Sequence, residues 1–399
     1  MDLRTLPDGL SPSDRCNVRR QRMEEELHVD LKHTALTAEQ IGHADEKNCE
    51  QMFGAVPVPV GYAGPLRVTF SSGEKADLHL PLATTEGALV ASVNRGCKAL
   101  SQTGGVTLTS VHHGTSRSIA FRILEGSPGE APGTGAKSGV QSFIAFLSQK
   151  ESEWSDIGIA TSTHLQLLSH TIESEGNHVF LTIYCDTDEA MGMNMVTIAA
   201  QAIGVWVSEN YKDVAFITVA GNVDSDKKPS KRTHDQGRGY EGTAEAVLSG
   251  EVIETVLKSS LETMLEVAHA KLEIGSNVAG ALGKNLHAAN IVAALFLATG
   301  QDAAHVVEGS LADTTVKQCE GGLRISVRLP ALMVGVRGGG TSLPAQQQCL
   351  GLLLSPKTSL RPCTQLAQSI AAGVLAGEVS LLAAQASHTL AKAHRELGR

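Results

Sequence analysis

The twelve residues Ala288–Thr299 (AANIVAALFLAT) constrain this chain more than any other stretch. They are apolar all round, so a helix formed here is predicted to be buried on every side. That demands a core wide enough to enclose it, which 399 residues can supply, most simply as two domains. The run ends in Gly300-Gln301-Asp302, which puts Asp302 at the C-terminus of a core helix. An acid there opposes the helix dipole and is predicted to be harder to ionise. Such a placement is poor structural design and therefore hints at function.

Composition narrows the class. Charged residues are 19% and hydrophobic ones 42%, as in a globular protein. A net charge of −9 argues against general affinity for nucleic acid or an anionic membrane, and 4% aromatic residues leave few stacking platforms for single strands. The seven cysteines are scattered without CxxC spacing, so neither a disulfide scaffold nor a zinc site is expected, and no metal. The N-terminus lacks the apolar region of a signal peptide. Of the longest apolar segments, 288–299 is too short to span a bilayer and 366–391 is interrupted by Glu378 and His388. The expectation is a soluble, cytoplasmic protein.

Residues 1–45 are charged and read as a small helical N-terminal region. Prolines and glycines over 53–66 predict an extended, shaped loop, followed by a hairpin of Leu66–Phe70 and Ala76–Leu80 around Ser71–Glu74. From 117 to 220 strands and helices alternate as βαββαβ, with Arg117–Leu124 first and Val214–Val219 last, predicting a ferredoxin-like insert. Beyond 240 helices are expected to dominate, with Ile253, Leu257, Leu261, Met264 and Ala268 as one amphipathic stripe. The fold class is therefore α+β. A large, mainly helical domain of 46–117 and 220–385 carries the insert 118–219, and 386–399 forms a C-terminal flap.

Several segments carry candidate chemistry. In 83–98 Glu86 stands among small residues, with Asn94, Arg95 and Lys98 about two turns on. The plain reading is a helix start capped by Thr84 or Thr85; the functional one is an acid meeting a substrate beside cations that hold a phosphorylated tail. Asp224-Ser-Asp226-Lys227-Lys228-Pro229 reads either as an exposed charged turn or as an ammonium held by Asp226 and aimed at an oxyanion. The run Glu189-Ala-Met191-Gly192-Met193-Asn194 opens a helix whose free N–H groups suit a dinucleotide phosphate. Val336–Thr341 is a glycine-rich run suited to close approach by a ligand or to a plain loop. His394, five residues from the end, is either a solvated tail residue or an acid that protonates a leaving thiolate. Two motifs are set aside. Gly237–Gly242 fits GxGxxG but follows a polar run where a Rossmann strand is required, and Gly133–Ser138 lacks the glycine directly before the P-loop lysine.

Together, 56–66, 83–98, 190–195 (AMGMNM), 226–229 (DKKP), 285–302 and 338–341 (GGGT) resemble 3-hydroxy-3-methylglutaryl-CoA (HMG-CoA) reductase, in that family's order and over roughly 46–395. The MGMNM and DKKP forms resemble its class I branch, here without a membrane anchor. The resemblance implies reduction of a thioester to mevalonate and CoA with NADPH, by Glu86, Lys227, Asp302 and His394. Lys227 is implied to stabilise the oxyanion, and Asp302 to link it to Glu86. Glu86 is implied to be a proton donor whose pKa a buried site raises, and His394 to protonate the CoA thiolate. Arg117, Asp226, Lys228 and Asn290 match acyl-group contacts, and Asn94 and Arg95 match CoA contacts. Glu189, Met191, Gly192, Met193, Asn194, Gly338, Gly339 and Thr341 match the cofactor segments. Sites between subunits imply a homodimer or a dimer of dimers.

The chain departs from that pattern at a few positions. Glu189 replaces the usual Asp and follows Asp186 and Asp188, a cluster that disfavours a 2′-phosphate. Thr163-His164 replaces a Ser-Arg pair, Ala220 a substrate-contacting Ser, and Gln51 an Asn. These leave open an NADH-preferring or mevalonate-degrading reductase and, more remotely, a non-catalytic acyl-CoA-binding paralogue.

Overall fold

The computed structural model describes residues 2–124 and 135–388. Its first long helix, Pro12–Leu27, starts where the Ser11 hydroxyl accepts from the Asp14 N–H and proline occupies the first turn. Short helical turns follow, and Cys16, Ile41, Ala44 and Met52 close a small core of their own.

The described residues form nine strands: β1 Val60–Thr69, β2 Lys75–Ala83, β3 Val106–Ile123, β4 Gln166–Glu175, β5 His178–Asp186, β6 Val214–Thr218, β7 Gly239–Ser249, β8 Asp313–Cys319 and β9 Gly322–Leu332. The β1–β2 hairpin has the expected turn, with Val68 opposite Ala76. It starts earlier than expected, because Val60–Leu66 are strand and not loop. A register shift between Ala63 and Leu66 absorbs Pro65, a bulge being where a strand tolerates a residue without an N–H.

Strand β3 belongs to two ladders. Its first half pairs with β1 in parallel and with β7 antiparallel; from Thr115 onward it pairs antiparallel with β5 and β6. The two strand orders are β2-β1-β3-β7-β9-β8 and β4-β5-β3-β6. The boundary read at 117/118 thus falls inside one continuous strand. Helices Gly135–Gln149, Glu151–Ile159 and Met193–Asn210 accompany the second ladder, around Phe121, Phe143, Trp154 and Ile203. The middle helix of the three was not read from the sequence, and Gly133 and Thr134 lie outside the described residues.

Beyond 240 helices dominate, as read, but the strands β7, β8 and β9, which were not expected there, complete a six-stranded ladder. In β9 the buried Leu323, Ile325, Val327 and Leu329 alternate with Arg324, Ser326 and Arg328, a period of two. The stripe from Ile253 to Ala268 is not one helix either. It breaks at Lys258, φ 55, and restarts where the Ser260 hydroxyl caps Leu261–Ala268.

Helix Ala288–Thr299 forms as read but is not buried all round: Leu297 is 42% exposed, on the side of Ala289 and Ala293. The enclosed element is Pro362–Ala386. By length and composition that helix is able to cross a membrane, yet 94% of its apolar window is buried inside the protein. Its Ala376 carbonyl lies so close to Gly96 of helix Leu89–Gln102 that a Cβ on Gly96 would sit 1.9 Å from the oxygen.

Candidate active site

Residues 224–229 form a turn between β6 and the short helix Lys231–Gln236. Lys227 sits there at φ 56, a left-handed conformation uncommon for a residue with a side chain and often found at functional sites. Its Nζ lies 2.8 Å from Asp302 Oδ2, and its N–H donates to Glu308 Oε1 at 3.3 Å. The ammonium is therefore held by Asp302, the link the resemblance implied, and not by Asp226, the partner in one of the two readings of this turn.

Asp302 does not end the core helix. Gly300 closes that helix in the left-handed region, and Asp302 caps the next turn, its Oδ1 accepting from the Ala304 N–H at 3.0 Å. Burial would raise its pKa, but the hydrogen bonds from Lys227 and Ala304 and the charge of His305 outweigh it. The carboxyl titrates below its ordinary range. The expected resistance to ionisation is thus reversed, because the acid meets a helix N-terminus and a cation instead of a C-terminus.

Asp226 lies between two guanidiniums. Its Oδ2 accepts from Arg117 Nη1 at 3.1 Å and its Oδ1 from Arg238 Nη1 at 3.0 Å. Burial opposes its ionisation, yet Arg238, His305 and Arg117 hold its pKa below the usual range. For Asp224 beside it burial prevails over Arg238 and Arg117, and its pKa is raised. Arg238 is 1% exposed and also donates to Glu308 Oε1 at 3.0 Å and, through Nε, to Ser116 Oγ at 3.0 Å. His305, wholly buried, places Nδ1 2.7 Å from the same Glu308 oxygen.

Arg238, His305 and Glu308 were missed in the sequence. Arg238 lay inside the glycine motif set aside above, which runs into β7 and not into a helix. The i, i+3, i+6 spacing of Asp302, His305 and Glu308 was the available signal. Asp226, His305 and Glu308 bring ligand atoms within 4.8 Å of one another, as a metal site would. Arg238 donates to two of them and supplies the positive charge there.

Other predicted residues are placed differently. Glu86 is exposed and not buried, in an open cleft of about 390 Å³ lined by Tyr62, Ala88, Val90, Ala91 and Asn94. Its N–H is capped by Thr84 Oγ1, and the helix starts only at Leu89. Among the described residues its carboxylate has no hydrogen bond or ion pair, so the expected link from Asp302 to Glu86 is not made within one chain. Asn94 Oδ1 accepts from the Gly64 N–H at 3.0 Å, and Arg95 donates to the Ser380 carbonyl at 2.6 Å, fastening its helix to Pro362–Ala386. Lys228 is exposed and donates to the Asp226 carbonyl at 3.0 Å. Asn290 is half-buried on helix Ala288–Thr299. His394, with all of 389–399, lies outside the described residues.

The two expected cofactor segments meet. The N–H groups of Val336 and Arg337 donate to the Glu189 carbonyl at 2.9 and 3.1 Å. Loop 338–341 also packs on Gly300, two residues before Asp302. Gly192, in the left-handed region, opens helix Met193–Asn210 with no side-chain cap among the described residues, leaving its first-turn N–H groups for an anion. Asn194 is exposed there, while the Met193 side chain is buried with Sδ 3.2 Å from Arg238 Nη2. The Met191 carbonyl accepts from Thr115 Oγ1 at 2.8 Å. The Thr341 hydroxyl donates to the Gly338 carbonyl at 2.7 Å, and Gly338 and Gly339 face open space. These features fit a dinucleotide laid across both loops.

Glu189 itself is spoken for. It accepts from Arg361 Nε at 3.0 Å and from the Cys363 N–H at 2.8 Å, so its side chain ties the loop to helix Pro362–Ala386. Arg361 also pairs with Asp186 at 2.7 Å and Asp188 at 3.6 Å, offsetting much of the acidic cluster.

A family model described as hydroxymethylglutaryl-coenzyme A reductase matches residues 15–399. The chain belongs to this family. It is 39% identical to the 3-hydroxy-3-methylglutaryl-coenzyme A reductase of Pyrococcus abyssi, over 96% of this chain and 92% of that one. With the Haloferax volcanii reductase it shares 42% identity over 89% of this chain and 86% of the relative. Its fold is similar to that of the class II HMG-CoA reductase of Streptococcus pneumoniae bound to NADPH. The TM-score is 0.66 at 17% identity, covering 94% of this chain and 97% of that one. As a member of the HMG-CoA reductase family the protein is an oxidoreductase.

Proposed function

We propose that this HMG-CoA reductase converts HMG-CoA to mevalonate and CoA in two reductive steps, with NADPH as reductant, in the cytoplasm. The observation that carries this reading is the Lys227–Asp302 ion pair at 2.8 Å, beside a loop that is hydrogen-bonded to the 189–193 segment. The nicotinamide, when bound, supplies hydride. The residues around 118–219 act as a ferredoxin-like cofactor-binding insert, with the N–H groups after Gly192 and the glycines 338 and 339 taking the dinucleotide. The remainder of the chain binds substrate.

Lys227 stabilises the oxyanion that forms at the thioester carbon, and Asp302 holds and aims it. Glu86 delivers a proton, and His394 protonates the departing thiolate. Arg117 and Asp226 orient the acyl group with Lys228 and Asn290, while Asn94 and Arg95 lie toward CoA. Glu86 and the Lys227–Asp302 pair do not bond within one chain. A second copy completes the site, so the working unit is at least a dimer.

Purified protein with HMG-CoA should oxidise NADPH at 340 nm, and Glu86→Gln should abolish this. Oxidation of neither NADPH nor NADH by a folded dimer would overturn the reading. A second version, in which NADH is preferred, rests on whatever charge of the acids at 186, 188 and 189 Arg361 leaves unbalanced; the ratio of kcat/KM for the two cofactors decides between them.

A further inference from the structure

We propose that His305 is a positioning residue for the Lys227–Asp302 pair, competing with Lys227 for one oxygen of Asp302 when its Nε2 is protonated. The proposal rests on the functional reading above. His305 is wholly buried, and its ring is fixed by the 2.7 Å contact of Nδ1 with Glu308 Oε1. A carboxylate on Nδ1 makes that nitrogen the N–H donor and leaves Nε2 as the open position. Nε2 is buried and, among the described residues, has no hydrogen-bond partner. It lies 3.7 Å from Asp302 Oδ2, the oxygen that holds Lys227 Nζ at 2.8 Å.

Charged groups face the ring from several elements. Asp302 faces it from its own turn, Glu308 from the next, and Asp226 from the 224–229 turn. Arg238 reaches both Asp226 and Glu308 from the start of β7. Counting Asp224 and Arg117, four carboxylates meet three cations, Arg117, Arg238 and Lys227. A proton on Nε2 is one way to balance the cluster. It turns a spectator nitrogen into a charged donor to Asp302 Oδ2, and the carboxylate then divides its attraction between His305 and Lys227. Oxyanion stabilisation by Lys227 weakens accordingly as pH falls.

The test is the pH profile of kcat for wild type and His305→Gln, an uncharged side chain that keeps a polar end. The acid limb should move down by about one pH unit in the variant, with KM for HMG-CoA unchanged because His305 is wholly buried. Superimposable profiles would overturn the proposal. Where His305→Gln does not fold by circular dichroism, Glu308→Gln removes the carboxylate charge facing Nδ1 and must shift the same limb; an unshifted limb there overturns it equally. Lys227→Ala is measured alongside. If it stays active, the functional reading itself fails. If it is inactive while the His305 profile is unshifted, only this inference fails.

Discussion

Gly300 and Gly340 touch through their backbones: a Cβ on Gly300 would lie 2.2 Å from the Gly340 carbonyl oxygen, and Gly300 has φ +71. The turn carrying Asp302 and the loop 338–341 are therefore one packed surface. Gly300→Ala should cost roughly 2–4 kcal/mol, from the left-handed backbone and the overlap together. It should also lower kcat, since whatever relieves the overlap moves Asp302. Urea unfolding and steady-state rates check both, and an unchanged stability would show that the loops part easily.

Lys227→Ala should fold and lose roughly two to four orders of magnitude in kcat, the scale of removing a central oxyanion stabiliser. The lysine is exposed, so its loss leaves no cavity, and secondary structure by circular dichroism should be unaltered. Near-normal turnover would remove Lys227 from the mechanism.

Glu241 provides a pH test remote from Lys227. Its hydrogen bond with His113, and then that with Arg328, lower its pKa to about 2 against the opposing effect of burial. A carboxyl depressed on folding stabilises the native state at pH values above its unfolded pKa. That contribution is lost as pH falls from about 4.5 towards 2. Wild type should therefore be more stable than Glu241→Gln at pH 7, and the gap in Tm should close across that window. A gap constant from pH 7 to pH 3 would contradict the assignment.

Arg361 offsets Asp186, Asp188 and Glu189. Removing it as Arg361→Gln leaves Asp186 and Glu189 without an ion-pair partner among the described residues, and Asp188 with His164 alone, near the helix start assigned to the dinucleotide. KM for NADPH should rise by about tenfold, and that for NADH by less, because the extra phosphate bears the added repulsion. Equal changes for both cofactors would place the cluster away from the 2′-phosphate.

What the sequence determined by itself was local or composed of contiguous signals. Family membership followed from ordered motifs. The hairpin about Ser71–Glu74, the helix Ala288–Thr299 and the strand at Arg117–Leu124 were each written in a few adjacent residues, as period, turn chemistry or cap. The alternation in β9 was present too, but was overlooked beside the strong helical signals around it.

Tertiary structure alone decided which charges meet. Nothing local to Asp226 or Lys227 says that the acid goes to Arg117 and Arg238 while the lysine goes to Asp302. Those partners come from β3, the start of β7 and the turn after a core helix. The sign of the Asp302 pKa shift depended in the same way on the neighbours that folding supplied, and not on the helix preceding it. Coulombic and hydrogen-bond energies fall off within a few ångströms and depend on burial, so they are set by packing distance. Backbone pattern is set by neighbours along the chain, and for that reason it could be read there first.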